Sequence, residues 1–248
     1  MAWKDSITLL KTDIKTSKNS AKGNYLLGGT LWRHLVFSGN ENNGQTPDEI
    51  VEEAIRCLKH AIELCGEFPN AAEELGNIYF DYYKDVAKSL HYYAMVLPQK
   101  MTLQTPILVL NQTPILLYTN QISSTPEEII QSCDELLKVK PDLWEAYYIK
   151  GVVYGKSLNN AALSFINLEK VDSFDFPKTV DYYNNAGYIC MLFGNYEKAL
   201  QYLLKAVELG TDDYITYLNI GIIYQQFGDT NKANFYMQKS NEMKDKIN

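Results

Sequence analysis

Gly187 and Gly221 stand 34 residues apart, and the same interval separates Gly194 from Gly228, Ala199 from Ala233, Leu203 from Met237 and Ala206 from Ser240. Small residues recurring at one interval of this length mark a helix hairpin. A small residue in the first helix lets its partner approach closely, a second in the other helix does the same, and larger side chains fill the gaps beside them. One such hairpin cannot bury its apolar face alone, so the units must stack. The interval therefore predicts an all-α chain of stacked antiparallel helix hairpins.

The same spacing extends backwards. Tyr217-x2-Ile220-Gly221-x2-Tyr224 is followed by Ala233-x3-Met237, and Tyr183-x2-Ala186-Gly187-x2-Cys190 by Ala199-x3-Leu203. Earlier come Tyr147-x2-Lys150-Gly151-x2-Tyr154 with Ala161-x3-Phe165, then Ala72-x2-Leu75-Gly76-x2-Tyr79 with Ala87-x3-His91. The first is Asn24-x2-Leu27-Gly28-x2-Leu31 with Ala54-x3-Leu58. These residues resemble the tetratricopeptide repeat, a helix–turn–helix unit with the pattern W-x2-LG-x2-Y followed by A-x3-F. The resemblance implies an α-solenoid wound as a right-handed superhelix, with five to six units, one of them irregular. Gly194 and Gly228 fall where a helix needs a left-handed ending.

Residues 1–20 read as a helix and junction, and 21–248 as the repeat domain. Within the latter the pattern departs in three places. A polar insertion, "HLVFSGNENNGQTPDE", separates Arg33 from the second helix, which begins near Pro47. The turn between Gly151 and Ala161 is two residues shorter than its counterpart at Gly187 and Ala199. The irregular unit occupies 99–143: Thr125 and Pro126 start a clear helix in its second half, but two prolines and β-branched residues leave 99–121 without an assignment.

Composition narrows the function. The net charge of −7 argues against general nucleic-acid binding, although residues 1–22 carry +3 and leave −10 to the rest. The basic start reads as a solvated helix face. Cys57, Cys65, Cys133 and Cys190 show no metal-like spacing and read as small buried hydrophobes. The three His are scattered, so neither a metal nor a cofactor is expected. Trp3-Lys4-Asp5 interrupts any apolar leader, and "PILVLNQTPILLY" is too short and too broken by Pro114 to span a membrane. Nineteen Tyr against nine Phe and three Trp suggest many shallow interfaces, with rings packed and hydroxyls wet.

One stretch asks for an enzymatic reading. Gly151-Val-Val-Tyr-Gly155-Lys156-Ser157 is nearly a phosphate-binding loop, but that loop needs four residues between its glycines and a strand before it. Here three residues intervene, and the preceding "WEAYYIK" is in helical phase. Gly151 is explained as the helix-packing glycine and Gly155 as the loosened end of that helix. Acidic residues fall on solvent-facing helix positions, and no G-x-S-x-G, no HExxH and no Cys–His pair at meaningful spacing appears. The region is accordingly not read as an enzyme; an unrecognised site around 99–121 is the rival.

The opening offers a second resemblance. Trp3-Lys4-Asp5 followed by Ser20-Ala21-Lys22 is similar to the junction of membrane proteins that join a glycosyltransferase-like region to C-terminal repeats, the transmembrane O-mannosyltransferase family. That resemblance implies an extracytoplasmic (periplasmic) tail of a polytopic protein, with Met1-Ala2 a start added to a longer chain. A stand-alone cytoplasmic adaptor is the alternative. On either reading the expected partner is a protein or an extended peptide, or a glycan-bearing chain, held in the concave groove that first helices line. By phase that groove takes Tyr148, Val152 and Lys156 in one unit, Asn184, Tyr188 and Met191 in the next, then Asn219 and Gln225. Lys156 is the single cation among them, so a binder of acidic tails is not expected.

Overall fold

The computed structural model describes residues 2–38, 44–97, 113, 116–117, 121–175 and 177–246. Among them lie twelve α-helices, one π turn and no strand. The chain forms two compact units, residues 1–146 and 147–248. The first holds α1 (Ala2–Thr16), α2 (Ala21–Ser38), α3 (Pro47–Cys65), α4 (Pro69–Asp81), α5 (Val86–Val96) and α6 (Pro126–Val139), and the boundary falls early in α7 (Trp144–Val152). The second holds the rest of α7, a π turn over Val153–Ser157, α8 (Ala161–Asp172), α9 (Val180–Leu192), α10 (Tyr196–Glu208), α11 (Tyr214–Gln226) and α12 (Thr230–Lys244). Residues 99–112 and most of 114–120 lie outside the described set, as do 39–43 of the insertion.

Helix starts follow local chemistry. Thr46 accepts from the Glu49 N–H at 3.3 Å while Glu49 accepts from the Thr46 N–H at 2.7 Å, with Pro47 next in the chain. Thr125, Pro126 and Glu128 repeat the arrangement at 3.2 and 2.8 Å. Each reciprocal pair satisfies donors that the helix itself leaves without partners.

The anchor glycines sit at helix crossings. A Cβ on Gly187 would lie 2.6 Å from the Leu203 side chain and 3.3 Å from the Ala199 carbonyl oxygen. One on Gly221 would lie 2.8 Å from Met237 and 3.2 Å from the Ala233 carbonyl oxygen. Both pairs are those that the 34-residue interval selects.

In α2–α3 a Cβ on Gly28 would lie 2.8 Å from the Ala54 carbonyl oxygen and 2.8 Å from Leu58, again the expected pair. Two other hairpins correct the sequence reading. Gly76 faces the Tyr93 ring and Gly151 faces Leu168, rather than His91 and Phe165. The residue that plays the part of Ala199 is Ser89 in one and Ser164 in the other, both buried, whereas His91 is exposed and Phe165 half-buried. Ser164 stands thirteen residues after Gly151, against twelve from Gly187 to Ala199. The turn is thus one residue longer, not two shorter. Ala161 looked like the counterpart because it begins α8, but its side chain lies one turn before the crossing.

The tyrosines also differ from expectation. Tyr93, Tyr148 and Tyr182 are buried, and protein atoms satisfy their hydroxyls. Tyr93 donates to the Asn77 side-chain oxygen at 2.6 Å, Tyr148 to the Asp181 carbonyl at 3.2 Å, and Tyr182 to the Asp172 carboxylate at 2.7 Å. A buried hydroxyl without such a partner would be costly. Cys57, Cys133 and Cys190 are buried as expected, but Cys65 is exposed, because it is the last residue of α3, where Gly66 at φ 74° turns the chain away.

Candidate functional site

The near-phosphate-loop is helix throughout. Gly151 and Val152 end α7, and Val153–Ser157 form the π turn, with the Leu158 N–H reaching back to the Val153 carbonyl at 3.1 Å. The Ser164 hydroxyl donates to the Gly151 carbonyl at 2.7 Å, and a Cβ on Gly155 would lie 2.8 Å from that hydroxyl and 3.0 Å from Ile189. Both glycines face neighbouring side chains at contact distance, which leaves no room for a phosphate. Burial pushes the Lys156 ammonium below its ordinary range. The π turn is where α7 takes up an extra residue before α8.

The eight expected groove positions separate into two sets. Val152 is fully buried, Tyr148 is 2% exposed and Asn219 is 9% exposed. Tyr148 is fixed in the interior of its unit: it packs edge-on against Tyr182 at 5.3 Å and accepts from the Asn185 amide at 2.6 Å. Asn184 is half-buried and ties α9 to the start of α11, donating to the Thr211 hydroxyl at 3.2 Å and accepting from Thr216 at 2.7 Å. Lys156, Tyr188 and Met191 keep part of their surface, and Gln225 is exposed.

Sequence reasoning missed Leu218 and Ile222. They stand 34 residues after Asn184 and Tyr188, as Gln225 does after Met191. Asn219 is one residue off that phase, and a shift of one residue turns a helical side chain by about 100°. Ile215 and Leu218 are 45% and 37% exposed and Ile222 is half-buried, so they form one row at helical spacing. On its other side α11 buries Thr216, Tyr217, Ile220, Gly221 and Ile223. Helix α11 is therefore apolar around its circumference while one side remains accessible.

The same unit is braced by a carboxylate. Asp172 accepts from Tyr182 and, on its other oxygen, from Tyr202. Burial and the Asp172 carboxylate push both tyrosines far above their ordinary range, and the Tyr202 phenol pushes Tyr182 further, so both remain donors. Burial also pushes the Cys190 thiol up to about 11, which makes it a poor nucleophile near neutral pH. Among the described residues no three His, Cys, Asp or Glu side chains gather as metal ligands, and no helix is long and apolar enough to cross a membrane.

Comparison with known proteins agrees with this architecture. Residues 180–210 and 214–246 match the family model described as Tetratricopeptide repeat, and the matches coincide with the α9–α10 and α11–α12 hairpins. A TPR repeat-containing protein of Methanocaldococcus jannaschii is 29% identical over 157 residues, which cover 62% of this chain and 26% of that protein. The chain thus spans about a quarter of that relative's length. A crystal structure of a MamA protein superposes with a TM-score of 0.51 at 20% identity, covering 73% of this chain and 94% of that one. A MamA RS-1 double mutant gives 0.51 at 18% identity, covering 89% and 97%. The fold is an all-α stack of tetratricopeptide-type hairpins.

Proposed function

We propose that this chain is a non-enzymatic scaffold that holds an extended peptide segment of a partner protein along the accessible sides of α9 and α11. The observation that carries the reading is the row Ile215, Leu218 and Ile222, an apolar side of α11 on which the first two residues are exposed and the third is half-buried. Tyr188 and Met191 add accessible surface on α9, and Gln225 contributes an amide that can donate and accept. A segment with alternating apolar side chains would fill the row and bond to the amide. Selection from a random peptide library displayed on phage tests this. The selected peptides should be rich in apolar residues and should lose affinity for the Tyr188→Ala/Leu218→Ala variant. Peptides that bind this variant as well as the parent would overturn the assignment.

The finer form of the proposal rests on the resemblance of residues 3–5 and 20–22 alone. It makes the scaffold the extracytoplasmic tail of a glycosyltransferase-like membrane protein, with glycan-bearing chains among its partners. The genomic reading frame tests it. Membrane spans encoded upstream of Met1 would support it, and a frame that opens at Met1 would overturn it in favour of a cytoplasmic adaptor.

A further inference from the structure

Far in sequence from that row, the first unit contains a cavity of about 790 Å³ between the end of α1, the start of α2 and one face of α3. Ile14, Leu27, Ile55 and Cys57 supply its apolar surface, and Lys15, Lys18 and Arg56 stand at its edge. The volume lies within the range of small-molecule sites, which are typically ~300–1,000 Å³.

The charges at the edge are unevenly committed. Glu53 is held by Lys11 at 2.7 Å, and Glu63 pairs with His60 at 3.2 Å. Lys59 leans over the Tyr79 ring at 5.9 Å. The side chains of Lys15, Lys18 and Arg56 have no hydrogen-bond or ionic partner among the described residues, and Glu52 is the one lining carboxylate in the same condition. The uncommitted charge around an apolar floor is therefore positive. An anion with an apolar body complements it.

The walls decide what kind of body. The α3 wall lies largely within the helix, where backbone groups bond to one another, and several backbone groups of the turn between α1 and α2 are also taken. The Ser17 N–H donates to Asp13 and the Ser20 N–H to Ser17, both at 2.9 Å, and the Lys18 carbonyl accepts from the Asn24 amide at 3.0 Å. An extended peptide would bring amides that find few partners here, which is unfavourable away from water. An alkyl chain brings none. From Glu52 to Glu63 the α3 wall runs about 16 Å, the length of a medium acyl chain.

We infer that this cavity binds a single-chain anionic amphiphile, with the alkyl chain along Ile14, Leu27 and Ile55 and the head group at Lys15, Lys18 and Arg56.

Calorimetric titration of the full chain with dodecanoate, below its micellar concentration, tests this. We expect saturable one-to-one binding that weakens about tenfold to a hundredfold in Lys15→Ala/Lys18→Ala/Arg56→Ala. All three side chains are exposed, so the variant should melt as the parent does. Dodecyltrimethylammonium should not compete. Location is read independently in Cys65→Ser, where dodecanoate should slow alkylation of Cys57. The inference is overturned if the triple variant binds dodecanoate unchanged, if the cationic chain binds equally well, or if Cys57 is not protected. Retention on phosphatidylglycerol vesicles without binding of dodecanoate would instead identify a membrane-facing surface, and would equally overturn it.

Discussion

Two kinds of short hairpin turn occur among the described residues. In α9–α10 and α11–α12 a glycine takes the left-handed backbone, Gly194 at φ 74° and Gly228 at φ 77°. The next residue closes the turn over five: the Asn195 N–H donates to the Cys190 carbonyl at 2.8 Å, and Asp229 to Tyr224 at 2.9 Å. In α4–α5 and α7–α8 the left-handed residue is Lys84 or Asn159, at φ 53° and 49°. There the closure spans six, Asp85 to Tyr79 and Asn160 to Tyr154, both at 2.8 Å. Yet in all four of these hairpins a large side chain stands against the anchor glycine, with a buried small residue four positions before it in the second helix. The helix crossing is the conserved feature of the architecture, and the turn adapts to reach it. Close packing tolerates little change in spacing, whereas one more residue in a turn adds little closure entropy.

The most direct way to break this comparison is to fill a crossing. Gly187→Leu should destabilise by about 3 kcal/mol, because the first added carbon already collides with Leu203 and approaches the Ala199 backbone. Gly151→Ala should cost less, about 1 kcal/mol, since its neighbour at 3.0 Å is a leucine side chain that has some freedom to move. Equilibrium urea unfolding measures both, and equal losses would show that the two crossings do not differ in rigidity.

The turns themselves sharpen the contrast. Nothing lies within 4 Å of a Cβ on Gly194, so Gly194→Ala should destabilise by about 1 kcal/mol through backbone conformation alone. Asn159→Gly should shift stability the other way by about 0.5 kcal/mol, since glycine relieves the left-handed strain but gains freedom when unfolded. A melting temperature unchanged in Gly194→Ala would show that the five-residue closure accepts a side chain without strain, and one lowered in Asn159→Gly would show that the six-residue closure imposes none at Asn159.

These turns also explain what was legible in the sequence. The glycine interval disclosed the last two units completely, down to Leu203 and Met237. It placed Gly76 and Gly151 correctly but misread their partners, because Ser89 and Ser164 stand where alanine was sought. Serine is small enough for a close crossing, and in Ser164 the hydroxyl is satisfied by the Gly151 carbonyl. The candidate row was half legible. Tyr188, Met191 and Gln225 retain surface, while Tyr148 and Val152 occupy the same phase in α7 and are buried. Phase gives the direction of a side chain around its own helix, not what the neighbouring elements cover.

The smallest expected effect distinguishes the caps. In each of the four hairpins compared above, the second helix opens on an Asx residue whose side chain accepts from the N–H three residues on: Asp85, Asn160, Asn195 and Asp229. Only the aspartates titrate. Burial pushes the Asp85 carboxyl up, but hydrogen bonds from the Lys88 side chain and backbone and from Ser124 outweigh it and hold Asp85 below its ordinary range. The Lys232 backbone and side chain hold Asp229 low in the same sense. A carboxyl depressed in the folded state contributes stability above its unfolded pKa, and that contribution is lost as pH falls through the folded value. Acidification below about pH 4 should therefore loosen the starts of α5 and α12 and leave those of α8 and α10 unchanged. Hydrogen exchange compared with a reference scale for intrinsic rates reads this at the Lys88, Leu163, Lys198 and Lys232 amides. Protection should fall at the first and last and hold at the middle two. Asp85→Asn should then remove the acid sensitivity at Lys88 without affecting Lys232. Loss of protection at all four amides together would show that acid acts on the fold as a whole rather than on its caps.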